Sequence, residues 1–129
     1  MPRVPIVKIE NTLIATVQEG LRDRDALNLQ TELGGMLERT GAEGVLIDIS
    51  VVETMESFLG RMLNDIARQS QLLGAHTIVV GMQPAVAVTL VEMGLGLNSM
   101  RTALNVERGL QVLRQLAPDK RQIRGRRGR

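Results

Sequence analysis

The stretch Glu53-Thr54-Met55-Glu56-Ser57-Phe58 holds the residues best placed to do chemistry. Ser57 stands at the head of a strongly periodic segment, where a hydroxyl faces unpaired backbone N–H groups and the positive end of a helix dipole. There it can cap the helix, worth about 1 kcal/mol, or, once phosphorylated, hold a dianion on those N–H groups. A phosphoryl group would add about −1.5 to −2 charges beside Glu56 and Glu53. A helix N-terminus tolerates that charge, but an acidic partner surface docked over it would not, so the site can switch binding without refolding the domain. Asp48, Glu53, Glu56, Phe58 and Arg61 are the expected partner contacts around it. Phe58 sits at the exposed margin of the helical stripe, and is a docking contact if exposed and core if not.

Other chemistries find little support. Cysteine is absent and His76 is the only histidine, which excludes thiol catalysis and makes a metal cluster or proton relay improbable. His76 reads as a surface side chain. The chain contains no phosphate-binding G-x-x-x-x-G-K-[ST] loop, no H-E-x-x-H and no G-x-S-x-G. Paired carboxylates drawn from Asp48, Glu53 and Glu56 could in principle serve a hydrolase. Nothing suggests a pocket for one, and no Tyr or Trp is present to bind a substrate ring. We therefore expect no enzyme, no cofactor and no metal.

The elements that must position Ser57 follow from periodicity. Val4–Ile9 and Leu13–Val17 read as two strands joined at Glu10-Asn11, close enough to pair antiparallel. Asp23 and Asp25 offer N-cap chemistry to a helix carrying Leu29, Leu33, Met36 and Leu37 and ending at Gly41. Gly34-Gly35 within it is unfavourable by roughly 1 kcal/mol per Gly relative to Ala, so packing must offset the cost or backbones must approach closely there. Val45–Ile49 is the apolar run of a strand buried on both faces, ending at the polar site. Leu59, Met62, Leu63, Ile66, Ser70 and Leu73 make the helical face that follows, as far as Gly74. Thr77–Gly81 is another buried strand. After Gln83-Pro84, Ala85–Met93 is apolar almost all round, as for a well-covered helix, with its weakest face at Ala85, Thr89 and Glu92. A short strand at Arg101–Leu104 and a helix on Val106, Leu110 and Leu113 complete the chain. Alternation from the first helix onward implies right-handed crossovers and an α/β fold with a mixed, mostly parallel sheet and about four helices.

The chain has 129 residues, enough for one domain with a real core. Phe58 is the only aromatic residue, so no base-stacking platform exists and a nucleic-acid role is not expected. No apolar run reaches the roughly 20 residues of a membrane span and the N-terminus is too short for a secretory signal, so a cytoplasmic protein is expected. The formal net charge of +2 conceals an asymmetry: residues 118–129 carry six basic side chains and one acid, the rest 10 basic and 13 acidic. The expected boundary falls at residues 117/118, a domain over 1–117 followed by a basic tail. The tail reads most simply as a solvated disordered end, with contact to an acidic partner or nucleic acid as the remaining readings.

Asp48-x-Ser50, then Glu56-Ser57-Phe58 opening a helix, with Gly74-Ala75, Val79-Val80-Gly81 and the run from Gln83 to Leu90, together resemble a STAS domain, the anti-sigma-factor-antagonist fold. The likeness covers roughly residues 4–116, and the Gln83–Leu90 run is its most specific part. The bulky Phe58-Leu59 after the serine favours the stressosome branch of the family. Glu56 stands where the family usually has aspartate, which keeps the charge. The resemblance implies a negative regulator that co-assembles with RsbR-type sensor proteins into a large homo- and hetero-oligomeric scaffold. That scaffold holds an RsbT-type serine kinase and releases it on phosphorylation under stress, with a phosphatase to reset the site. The phosphorylated serine falls on Ser57. A second phosphorylated position, a threonine of the RsbR-type partners, matches Thr89, which can instead bond within its own helix. The rival within the same fold is a free anti-sigma-factor antagonist switched in the same way.

Overall fold

The computed structural model describes residues 4–94 and 100–116, so the boundary at 117/118 and the basic tail lie outside the described residues. The chain runs β1 (Ile6–Ile9), β2 (Thr12–Thr16), α1 (Asp23–Thr40), β3 (Gly44–Asp48), α2 (Ser57–Leu72), β4 (His76–Val80), α3 (Pro84–Glu92), β5 (Arg101–Ala103) and α4 (Val106–Leu116). The five strands lie in chain order in one sheet, with β1 and β2 antiparallel and every later pair parallel.

That order has a direct consequence. Strands added one after another in the same direction, each by a right-handed crossover, put their connecting helices on the same face. The larger core accordingly joins Leu13, Ala15, Val45, Ile47 and Val79 of the sheet to residues of α1, α2 and α3. The other face, with Ile14, Leu46, Ile78 and Val80, packs against α4 through Leu113. Val45, Leu46 and Ile47 are each wholly buried, as expected of a strand covered on both sides.

Close approaches are secured by glycine. A Cβ on Gly34 would lie 2.3 Å from Nε2 of Gln69 on α2, and Gln69 Nε2 instead donates to the carbonyl of Gln30 at 3.1 Å. The helix-interior glycine thus marks where α1 meets α2. On the opposite face a Cβ on Gly109 would lie 2.7 Å from Leu46 and 2.9 Å from Val80, so α4 rests directly on the sheet.

Three local expectations change. The α1 cap position belongs to Arg22, whose N–H donates to the Asp25 carboxylate at 3.1 Å, while Asp23 and Asp25 lie in the first turn. Here Asp25 reaches back toward the helix start from inside it. At α2 the cap position is Glu56, and Ser57 is the first helical residue. Finally, α3 is not well covered. Only Val86 and Leu90 are buried, whereas Val88 is 57% and Val91 78% exposed. A nine-residue helix lying on one face of the sheet meets the core along a single stripe, and among the described residues no further layer covers the rest.

Candidate functional site

Three loops gather at the carboxyl ends of the parallel strands, the place where open α/β sheets present their sites. The first is tied down by Asp48, the last residue of β3. Its carbonyl accepts from the Val17 N–H at 2.9 Å, and its Oδ1 accepts from the Ser50 N–H at 2.9 Å. The side-chain bond makes an Asx-type turn, the local reason an acid is suited to this strand end. The chain then folds over β4: the Ile49 N–H donates to the Val80 carbonyl at 3.0 Å, and Gln83 Nε2 donates to the Ser50 carbonyl at 2.9 Å. Gly81, with φ +76°, passes so close to Ser50 that a Cβ there would lie 2.7 Å from the Ser50 Cβ. Glycine meets both the backbone and the steric demand.

From this anchored turn the loop proceeds to α2. Glu53, Glu56 and Ser57 are exposed, and the Glu53 N–H donates to a carboxylate oxygen of Glu19 from the β2–α1 loop. Glu19 therefore joins Glu53 and Glu56 in one acidic neighbourhood. It lies more than thirty positions upstream in sequence, and no local pattern connects it to Ser57. At the helix start, Leu59 and Gly60 donate to the Glu56 carbonyl at 3.0 and 3.2 Å, while no side chain caps α2. The earliest N–H groups of a helix have no intrahelical acceptor. The Ser57 side chain stands in that first turn, exposed to solvent, so a phosphoryl group there would meet backbone N–H groups and the dipole together.

Phe58 is half-buried and packs against the larger core, so it is partly both of the alternatives that the sequence left open. Its remaining surface lines two hollows. One is a small cleft with Glu19, Leu21, Val52, Thr54 and Glu56. The other is a groove of about 190 Å³ between α1 and α2, walled by Leu27, Gln30, Phe58, Arg61 and Asp65. Arg61 is exposed one helical turn beyond Ser57. Leu27, 64% exposed, carries no sequence signal beyond its place on the outer side of α1. Thr89 lies in the middle of α3, where its hydroxyl donates to the Ala85 carbonyl at 3.0 Å. His76 is exposed, and among the described residues no three His, Cys, Asp or Glu side chains are grouped to hold a metal. No helix among the described residues is long and apolar enough to cross a membrane.

A single α/β domain, with an antiparallel strand pair leading into a parallel sheet and an exposed serine at the helix start after the central strand, defines the class. The chain belongs to the STAS domain family, whose pattern matches residues 3–109. Within that family it is similar to RsbS: a serine-to-glutamate variant of Moorella thermoacetica RsbS is 39% identical, with a TM-score of 0.81 over 89% of this chain and 97% of that one. A chain from the molecular architecture of the stressosome, a signal integration and transduction hub, is also 39% identical, with a TM-score of 0.79 over 89% of this chain and all of that one. The RsbT co-antagonist protein RsbRA of Bacillus subtilis (strain 168) is 22% identical over 119 residues. These make up 92% of this chain but only 43% of RsbRA, so the chain spans less than half the length of that relative.

Proposed function

We propose that this chain is a non-enzymatic, cytoplasmic scaffold subunit of a stressosome-type assembly, whose binding to a serine kinase is switched by phosphorylation of Ser57. Unphosphorylated, it holds an RsbT-type kinase together with RsbR-type STAS proteins. Phosphorylated, it releases the kinase, and a phosphatase resets it. The observation that carries the reading is the exposed, uncapped start of α2 with Ser57 in its first turn, on a chain 39% identical to an RsbS.

The geometry supplies a mechanism. The hydroxyl projects from a helix end whose position is held by the bonds at Asp48 and Gln83, so a kinase can reach it without unfolding the loop. Modification adds a dianion to a neighbourhood that already contains Glu19, Glu53 and Glu56. The helix N-terminus accommodates the charge within the domain, and a partner surface matched to the unmodified rim meets excess negative charge instead. Phe58 and Arg61 provide apolar and cationic contacts beside the switch. Thr89, already bonded within its helix, is the secondary candidate for modification.

Incubation with the kinase and ATP is expected to add one phosphate, mapped to Ser57 by mass spectrometry, and to release kinase previously bound. Incorporation that persists unchanged in Ser57→Ala overturns the site. Mixing with an RsbR-type protein is expected to give a megadalton-scale species; persistent small species favour a free antagonist instead.

A further inference from the structure

The sheet face beneath α4 is only partly covered. Among the described residues α4 lies over β3, β4 and β5, and the pair β1–β2 continues past it to the edge of the sheet. Val7 stands opposite Ile14 in that pair, and Ile14 belongs to the core beneath α4, so Val7 faces the same side. Ile9, two residues further along the strand, faces it too. Both side chains are uncovered, Val7 being 55% and Ile9 45% exposed. An edge strand with an open apolar face invites pairing with other chains unless a further segment covers it or charge blunts it. The one charge within β1, Lys8, alternates to the opposite face.

The chain leaves α4 beside this strip. Leu110, Leu113 and Arg114 line a hollow together with Glu10, Asn11 and Thr12 of the β1–β2 turn, so α4 finishes against that turn. Pro118, two positions past Leu116, disfavours continuation of the helix. Ile123 is the one large apolar residue after Leu116. At about 3.3 Å per extended residue, the seven residues from Ala117 to Ile123 span up to about 23 Å. The four residues of β1 need only about 13 Å.

We propose that residues 117–123 fold back within the same molecule as a strap over the open face of β1, with Ile123 seated on Val7 and Ile9. The contact removes apolar surface of all three side chains from water. Glu10, exposed directly after Ile9, supplies a counter-charge for Lys120 or Arg121. A tether this short holds the segment at a roughly millimolar effective concentration, so the chain's own tail occupies the strip ahead of a second copy in dilute solution. The strip lies on the sheet face opposite α2, and the strap therefore goes beyond the scaffold reading and leaves Ser57 open to the kinase.

The test is paramagnetic broadening of amide NMR signals in the full chain. Because the sequence lacks cysteine, Gln122→Cys takes a single nitroxide beside Ile123. With the nitroxide oxidised, the signals of Val7, Ile9 and Ile14 are expected to lose more than half the intensity they have with it reduced, while those of Leu27 and Val51 keep theirs. Adding Ile123→Asp is expected to restore the three signals at least twofold. Both substitutions lie beyond α4, and circular dichroism checks that the fold is retained. Mixing isotope-labelled, nitroxide-free protein with unlabelled, nitroxide-bearing protein is expected to leave every signal unchanged. Equal loss at all five positions, or no loss at the three, overturns the proposal. So does an effect that survives Ile123→Asp. Loss in the mixture assigns the cover to a second copy's tail and overturns it as well. None of these readings involves Ser57, so failure of the strap is distinguishable from failure of the switch.

Discussion

Ser57 contributes an accessible hydroxyl to the start of α2 but no cap, and this separates its chemistry from its stability. Loss of a bonded serine cap typically costs about 0.5–2 kcal/mol. Here Glu56 holds the cap position and no side chain bonds the helix end. Ser57→Ala is therefore expected to shift unfolding free energy by less than about 0.5 kcal/mol, as for a surface substitution, measured by urea denaturation with an unchanged slope. A loss above about 1 kcal/mol would show that the hydroxyl caps the helix after all. The sequence identified this serine because a polar loop leading into an apolar period is a local signal. It missed the one-residue offset, since cap and first helical residue differ by a backbone angle that composition does not encode.

At the scale of elements, the site is a junction of the loops following β3 and β4, and its tightest point is Gly81. An alanine there would have to adopt φ +76° and bring its Cβ within 3.0 Å of the Ser50 backbone. Gly81→Ala is expected to destabilise by about 1–3 kcal/mol and to speed amide hydrogen exchange across residues 49–56. Equal melting and exchange in variant and wild type would refute the contact. The Val79-Val80-Gly81 pattern was visible in the sequence as a strand end, but its partner Ser50 lies about thirty residues upstream in another loop. The same holds for Gly34 and Gln69, where a conformational liability inside a helix proves to be the place at which two helices meet.

Over the whole molecule, the two sheet faces are unequally protected. Among the described residues three helices cover one face, whereas α4 is the helix packed on the other, with Leu113 95% buried against it. Truncating Leu113 to alanine is expected to cost about 2–4 kcal/mol, read as a lower urea midpoint in a transition that remains cooperative. A change below about 0.5 kcal/mol would mean that α4 adds little to the second core.

The sequence by itself determined the order of strands and helices, the antiparallel opening, the buried central strand and the position of the serine, because periodicity, turn residues and apolar runs are written locally. Asp48 and Glu56 were legible for the same reason. Only the tertiary structure decided that Glu19 joins the rim and Gln83 fastens the loop. It also decided that α3, apolar nearly all round, leaves Val88 and Val91 uncovered. Those outcomes depend on which distant segments pack together and where the layers end. A run of apolar residues states that a helix can be buried; only the finished packing shows which side remains open.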